Sequence, residues 1–310
     1  MLFLADIDTI ELSFNASTQN ILKIVLGLII FGVALDMKWA DFNAVWKKPK
    51  AMLVGLATQL LLFPFFTFLM ILAAEKMGHP FHPSIALGML LVAACPGGNM
   101  SNFFTHVAKG NTALSVTMSA ISTLAAAVTT PFNFTFWGSR LASTADKMQA
   151  LELSFMDMFI DVTIMLAIPM AVGLWISYKF PNFAKKMHNP MRYLSIIFFF
   201  TLIILVFVAN FNNFIVYIGA VALIVALQNG IALGSGYGIA TLFGASKRDR
   251  KTITIEVGIQ NSGLGLILCI QYFSSLGGMA LIAAWWGLWH IVSGLSLALY
   301  WGRKRSTNTI

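Results

Sequence analysis

The sequence predicts an all-α polytopic membrane protein of about nine transmembrane helices, arranged as an inverted repeat. Three observations carry that expectation. The 310-residue chain is 58% hydrophobic and only 10% charged, against a charged share of about 25% in ordinary globular chains, and its mean hydropathy is +0.80. Apolar runs of roughly 20 residues, each long enough to cross a hydrocarbon core of about 30 Å, recur along it. Two of those runs are interrupted by helix-breaking and polar residues at corresponding places in the two halves.

Residues 1–19 carry Asp6, Asp8 and Glu11 without a basic n-region, so a cleaved signal peptide is not expected and the segment reads as an outer N-terminal tail. The spans are expected at about 20–36, 50–74, 82–108, 111–137, 154–177, 190–210, 213–243, 252–272 and 277–301. Together they make one transmembrane region, 20–301, followed by a tail at 302–310. Charge placement supports the count. Lys38, Lys47, Lys48 and Lys50 follow the first span, Lys109 the third, and Lys179, Lys185, Lys186 and Arg192 the fifth. Lys247, Arg248, Arg250 and Lys251 follow the seventh, and Arg303, Lys304 and Arg305 the ninth. Sixteen of the 20 basic residues thus fall on one side, and only Lys23, Lys76, Arg140 and Lys147 on the other. By the positive-inside rule the N-terminus is outside and the C-terminus cytoplasmic, in a multi-pass protein of the cell membrane (the inner membrane if bacterial).

The same placement explains the net charge of +8. The basic residues are topology determinants, so no nucleic-acid partner is expected, and membrane lipid is the surrounding partner. No obligatory protein partner is indicated. Cys95 and Cys269 both lie in apolar segments, which does not suggest a disulfide framework. There is no H-E-x-x-H, no G-x-S-x-G and no convincing nucleophile–base pair, so an enzyme is not expected. Asp157 and Asp161 open the fifth span, where carboxylates suit a helix N-terminus.

The interruptions are Pro96-Gly97-Gly98 in the third span and Gln260-Asn261-Ser262-Gly263 in the eighth. Each lies in the second of three consecutive spans, and the two triplets start on opposite sides of the membrane, as inverted repeats do. A broken helix is tolerated in a bilayer where its freed backbone is buried in protein or lines a wet cavity. Its exposed carbonyls bind cations, and its exposed N–H groups, with the helix dipole, bind anions. A paired break therefore predicts cation sites beside an anion site; a kinked helix without function is the competing reading of Pro96-Gly97-Gly98 alone.

Glu256, in "TITIEVGIQNSGLGLILC", stands four residues before Gln260 on one helical face, with no Lys or Arg at mid-span to neutralise it. An intramembrane carboxylate is costly and functional by default, so its partner is a proton or a metal cation. Hard monovalent cations want several oxygens. Ser101 and Asn102 begin the half-helix after Gly98, Ser115 and Ser119 share a face of the next span, and Gln59 is a further buried amide. Back-bonding to the preceding turn competes for the serines, and an interhelical hydrogen bond for Gln59. Asn99 and Asn261 each open a half-helix after a break, either as simple N-caps or as caps that also touch a carboxylate.

The stretches "CPGGNMSNFFTHVAKGNTALSVTMSAIST" and "EVGIQNSGLGL", supported by "KPKAMLVGLATQLLLFP", resemble the bile acid:sodium symporter family, from about residue 20 onward. The resemblance implies a secondary transporter fold in which two broken helices cross. Its core would comprise about 50–137 and 213–301, and its panel about 20–36 and 154–210. One sodium site would use Ser101, Asn102, Ser115, Ser119 and Glu256. A second would use Gln59, Glu256, Gln260 and the carbonyls of Val257 and Ile259. Asn99, Asn261 and His290 would face the substrate, with a hydrogen-bonded core histidine as the competing reading of His290. "GGNMSN" is closer to the animal pattern than to the "GGTASN" common in bacteria, and Ser119 stands where the family has Thr.

The expectation is a sodium-coupled symporter importing an organic anion, a bile acid or a smaller carboxylate, by alternating access. Sodium ions are the coupling species. Two of them balance Glu256 and a monoanion, so two Na⁺ per substrate follow from charge. A proton-coupled organic anion transporter using Glu256, and a non-transporting membrane sensor, are the alternatives.

Overall fold

The computed structural model describes residues 7–9, 16–46, 49–98, 100–150, 154–209 and 211–303. Among them every regular element is helical. In chain order the helices are α1 (Ala16–Leu35), α2 (Trp39–Trp46), α3 (Lys50–Lys76), α4 (Pro83–Ala94), α5 (Ser101–Val107), α6 (Thr112–Gly138) and α7 (Ala145–Ala150). They continue as α8 (Phe155–Lys179), α9 (Pro181–Ala209), α10 (Phe211–Leu242), α11 (Lys247–Gly258), α12 (Ser262–Tyr272) and α13 (Gly277–Arg303). Each expected span overlaps one helix or one broken pair, with α9 beginning at Pro181, ahead of the expected 190–210. Among the described residues five stretches are long and apolar enough to cross a membrane unaided: α3, α6, α8, Val221–Leu242 of α10, and α13. The third and eighth expected spans are the pairs α4–α5 and α11–α12, whose members Pro83–Ala94 and Ser262–Tyr272 are too short to cross alone.

Both breaks follow from local chemistry. Pro96 disfavours the helical region at the residue before it, and Cys95 is extended at φ −66°, ψ 154°. Ile259 is extended at φ −114°, ψ 102°. The two extended segments cross and pair antiparallel at Gly97 and Gln260. Gly98 N donates to the Ile259 carbonyl at 2.8 Å, and Asn261 N to the Pro96 carbonyl at 2.8 Å. Backbone groups that neither half-helix could satisfy are therefore satisfied by the other break. The crossing leaves no room for a β-carbon: one on Gly98 would lie 2.7 Å from the Gln260 carbonyl oxygen. Asn261 caps α12 by accepting from Leu264 N at 3.0 Å.

The short halves are buried all round, which is why they read as apolar on every face. Ser84 through Ala94 of α4 and Ser262 through Ile270 of α12 are all buried. Gly88 brings α4 against α13, where a β-carbon would lie 2.8 Å from Met279 Cα. Proline also shapes α3. Pro64 has no N–H for the Leu60 carbonyl; the helix widens into a π-helical turn over Thr58–Leu62, and Asn133 Nδ2 of α6 supplies the missing donor at 2.9 Å. That turn carries Gln59 into the protein, where it is fully buried.

Helices α1, α8 and α9 pack on one another, and α8 packs along α6 as well; Gly173 of α8 is set closely against Phe31 and Ala34 of α1. Asp157 does lie in the first turn of α8, as its sequence position suggests. Asp161 does more than suit a helix start. It pairs with Lys23 Nζ of α1 at 3.1 Å and accepts from Gln271 Nε2 and the Tyr272 hydroxyl at the end of α12. One carboxylate thus joins the α1–α8 layer to the second broken span.

The crossing generates a stability prediction. Gly98→Ala forces a β-carbon onto the Gln260 carbonyl, and overpacking of this kind costs about 1–3 kcal/mol. Its melting temperature in detergent should fall by several degrees. Gly234→Ala is the control, because nothing lies within 4 Å of its β-carbon position, and it should melt at or above the wild-type temperature.

Candidate cation and substrate site

Glu256 occupies the last turn of α11 with none of its surface exposed. Its carboxylate receives hydrogen bonds from hydroxyls alone: Ser115 on Oε1, and Ser119 on Oε2 at 3.0 Å. Ser115 Oγ also lies 2.8 Å from Asn102 Oδ1, and Ser101 Oγ lies 3.3 Å from Ser119 Oγ. The spacing in sequence delivers this: Ser115 and Ser119 are one turn apart on α6, and Ser101 and Asn102 open α5. The cluster holds more acceptors than protons. A serine hydroxyl has one hydrogen, so Ser115 cannot donate to Glu256 and Asn102 together. A buried carboxylate needs an opposite charge or several strong donors. Among the described residues the one ion pair is Lys23–Asp161, so no cationic side chain neutralises Glu256.

A second group of unmatched oxygens adjoins the first. Gln59 Nε2 donates to the Glu256 carbonyl at 2.9 Å, and Gln260 Nε2 to the Val257 carbonyl at 3.0 Å. Because a carbonyl only accepts, each amide must present its nitrogen there. That leaves Gln59 Oε1 and Gln260 Oε1 buried without a donor among the described residues. Both amides act on the end of α11, and the crossing holds them close. A β-carbon on Gly97 would lie 2.9 Å from Gln59 Nε2 and 3.1 Å from Glu256 Oε2, so only glycine lets the first break approach this carboxylate. The Ile259 carbonyl points to the other strand, accepting from Gly98 N.

The expected substrate-facing residues are placed unequally. Asn261 is 8% exposed; its Oδ1 caps α12, and its Nδ2 is buried with no partner among the described residues. The neighbouring Gly263 faces α1, its β-carbon position 4.0 Å from Leu26 Cδ1. His290 lies buried on α13 with Nδ1 unpartnered among the described residues. One turn further on, Gly294 packs on Ile259 and Phe104. Asn99 lies outside the described residues.

Sequence reasoning missed Ser122. Its hydroxyl accepts from Gly97 N at 3.3 Å and donates to the Ser119 carbonyl at 3.2 Å, tying the first break to α6. The signal was present, since Ser122 continues the Ser115–Ser119 face at the next helical step. It also missed Thr130, whose hydroxyl donates to the Ala94 carbonyl at 2.8 Å where α4 stops.

Two crossed broken spans around an oxygen-lined buried carboxylate are the arrangement of a secondary membrane transporter. The chain belongs to the sodium bile acid symporter family, whose model matches residues 23–216. It is 33% identical over 286 residues to the uncharacterised sodium-dependent transporter YocS of Bacillus subtilis, spanning 92% of this chain and 84% of the relative. It is 27% identical over 295 residues to the Arabidopsis thaliana protein named probable sodium/metabolite cotransporter BASS1, chloroplastic, spanning 94% of this chain and 69% of that one. The P3 protein of Bos taurus is 29% identical over 263 residues, spanning 81% of this chain and 51% of that protein.

Glu256→Gln keeps the shape and removes the charge. Burying an uncompensated charge is costly, so without sodium this variant should melt above wild type. Adding sodium should raise the wild-type melting temperature and leave the variant's unchanged, with choline as the ionic-strength control.

Proposed function

We propose that the protein is a sodium-coupled symporter that imports an organic anion, with two Na⁺ per substrate. The observation that carries the reading is the buried carboxylate of Glu256, met among the described residues by hydroxyls and no cationic side chain, beside two glutamine oxygens that lack donors there. Oxygen-rich, nitrogen-poor surroundings suit a hard monovalent cation. One sodium is held by Ser101, Asn102, Ser115, Ser119 and Glu256. The other is held by Glu256, the side-chain oxygens of Gln59 and Gln260, and the carbonyls of Val257 and Ile259. For the side-chain oxygens to reach it, each glutamine amide rotates away from the carbonyl it now caps.

The substrate carboxylate sits where α12 begins. The positive dipole end of α12 favours an anion there, and Asn261 Nδ2 supplies a donor; Asn99 and His290 complete the pocket. Glu256 serves both ions, so loss of either leaves its charge incompletely matched and disfavours the passage of half-loaded protein. Fully loaded, two sodium ions offset Glu256 and a monoanion. Net movement is one positive charge per cycle, driven inward by about 2.3 kcal/mol per 100 mV.

Alternating access follows from motion of a core, about 50–137 and 213–301, against a panel, about 20–36 and 154–210. The mutual packing of α1, α8 and α9 is consistent with that division, with α8 against α6 as the seam between the two parts. With the basic connections cytoplasmic, the N-terminus lies outside.

Binding of taurocholate and of a panel of small carboxylates to purified protein, in sodium and in potassium, tests the proposal. Wild type should bind in sodium at least tenfold more tightly than in potassium, and Glu256→Ala should lose that difference. The ranking of ligands assigns the cargo. Binding that follows pH and ignores sodium would overturn sodium coupling in favour of a proton at Glu256. In proteoliposomes, an inside-negative potential should speed sodium-driven uptake; uptake indifferent to potential would overturn the two-to-one ratio for a monoanion.

A further inference from the structure

Gln228 and Asn229 are adjacent amides on α10, 0% and 1% exposed, and the sodium and substrate ligands above do not include them. They reach different helices. Gln228 Nε2 donates to the Met89 carbonyl of α4 at 2.8 Å and contacts Thr67 Oγ1 of α3 at 3.3 Å. Asn229 Nδ2 donates to the Gly258 carbonyl at 2.8 Å, on the last residue of α11. A single dipeptide therefore ties α10 to both broken spans.

The Asn229 bond completes a series. A helix C-terminus leaves its last carbonyls without intrahelical donors, and inside a membrane no bulk water supplies them. At the end of α11 the Glu256 carbonyl takes Gln59 Nε2, Val257 takes Gln260 Nε2, Gly258 takes Asn229 Nδ2 and Ile259 takes Gly98 N. Two of these donors, Gln59 and Gln260, are proposed ligands, and Gly98 N belongs to the facing break. Asn229 is the donor in the series that belongs neither to the facing break nor to the proposed sodium ligands.

Its position in the series matters. The Gly258 carbonyl belongs to the rigid peptide plane joining residues 258 and 259. Holding that plane fixes the backbone between the Val257 and Ile259 carbonyls, on either side of it. The α10 surface around Asn229 gives no slack. One turn on, Leu233 covers the face where a Gly258 side chain would be, and two turns on, a β-carbon on Gly236 would lie 2.9 Å from Thr254 Cα. Helix α10 cannot slide along α11 to relax the bond.

We propose that Asn229 is a positioning residue for sodium: its amide fixes the Gly258 peptide plane, and with it the ligating directions of the Val257 and Ile259 carbonyls. Gln228 holds the same point of α10 to the first broken span, so the two breaks keep one relative position. The inference rests on the sodium reading above.

Sodium alone, titrated against purified full-length protein in detergent and read by thermal shift, tests it. Asn229→Ala should raise half-saturating sodium about tenfold, the size expected for one lost buried hydrogen bond. Asn229→Ser guards against a misfolded alanine variant, because its hydroxyl can bond back to its own helix; it should show the same shift. Ser235→Ala, whose hydroxyl bonds only within α10, should not. A purely structural role would lower the melting temperature without sodium and leave half-saturation within twofold of wild type, and that result would overturn the inference. If wild type itself fails to respond to sodium, the sodium reading falls first and this inference with it.

Discussion

Inside a bilayer a peptide group released from a helix has no water to turn to, and each one left unpaired costs several kcal/mol. This protein breaks two helices at mid-span and meets that constraint by placing the breaks across each other. Gly98 N and Asn261 N each bond to a carbonyl of the opposite break, so neither break is satisfied without its partner. Much of the interior follows from that mutual dependence. The glycines at 97 and 98 are there because side chains would occupy the crossing. The short halves are apolar all round because other helices must enclose them. The polar residues of α3, α6 and α10 are directed inward because the ends of the half-helices still need hydrogen-bond partners, mostly donors for their carbonyls.

The same geometry sets up the chemistry. Glu256 is carried to the crossing by a half-helix that ends two residues later, so side-chain and main-chain oxygens concentrate within one small volume. Neutral hydroxyls soften the burial of the carboxylate without cancelling its charge. Amides of Gln59 and Gln260 satisfy carbonyls while leaving their own oxygens unmatched. The cluster has polarity to spare on the acceptor side, and that surplus favours a small cation over a neutral ligand.

Much of this was legible in the sequence because it depends on a few residues with strong local effects. Pro96 and the two glycines announce a break, an unpaired Glu in an apolar run announces a site, and Ser115 and Ser119 share a face by helical spacing alone. The pairing of the breaks could be inferred from their matching places in two triplets of spans, although nothing local states that Gly97 meets Gln260. What escaped were contacts between residues far apart in the chain. Asn133 replaces the donor that Pro64 lacks 69 positions away, and Asn229 reaches Gly258 across two helices. Each looks alone like an ordinary polar residue on an apolar helix. Asp161 was read as a helix-start carboxylate because its partners, Lys23, Gln271 and Tyr272, come from two other helices.

The antiparallel pairing of Gly97 with Gln260 amounts to the smallest possible β-sheet in an otherwise helical protein, and it brings the rule of register with it. Adding or deleting one residue in either connection would shift every later position of the half-helix by about 100° around its axis. It would also turn the paired strand over, presenting the opposite set of side chains. Ser101 and Asn102 would rotate away from Glu256, or Asn261 away from the start of α12. Point substitutions at the crossing can be absorbed wherever they are small enough, but a change of length cannot. Across descendants of this sequence the number of residues in each break should therefore vary less than their identity.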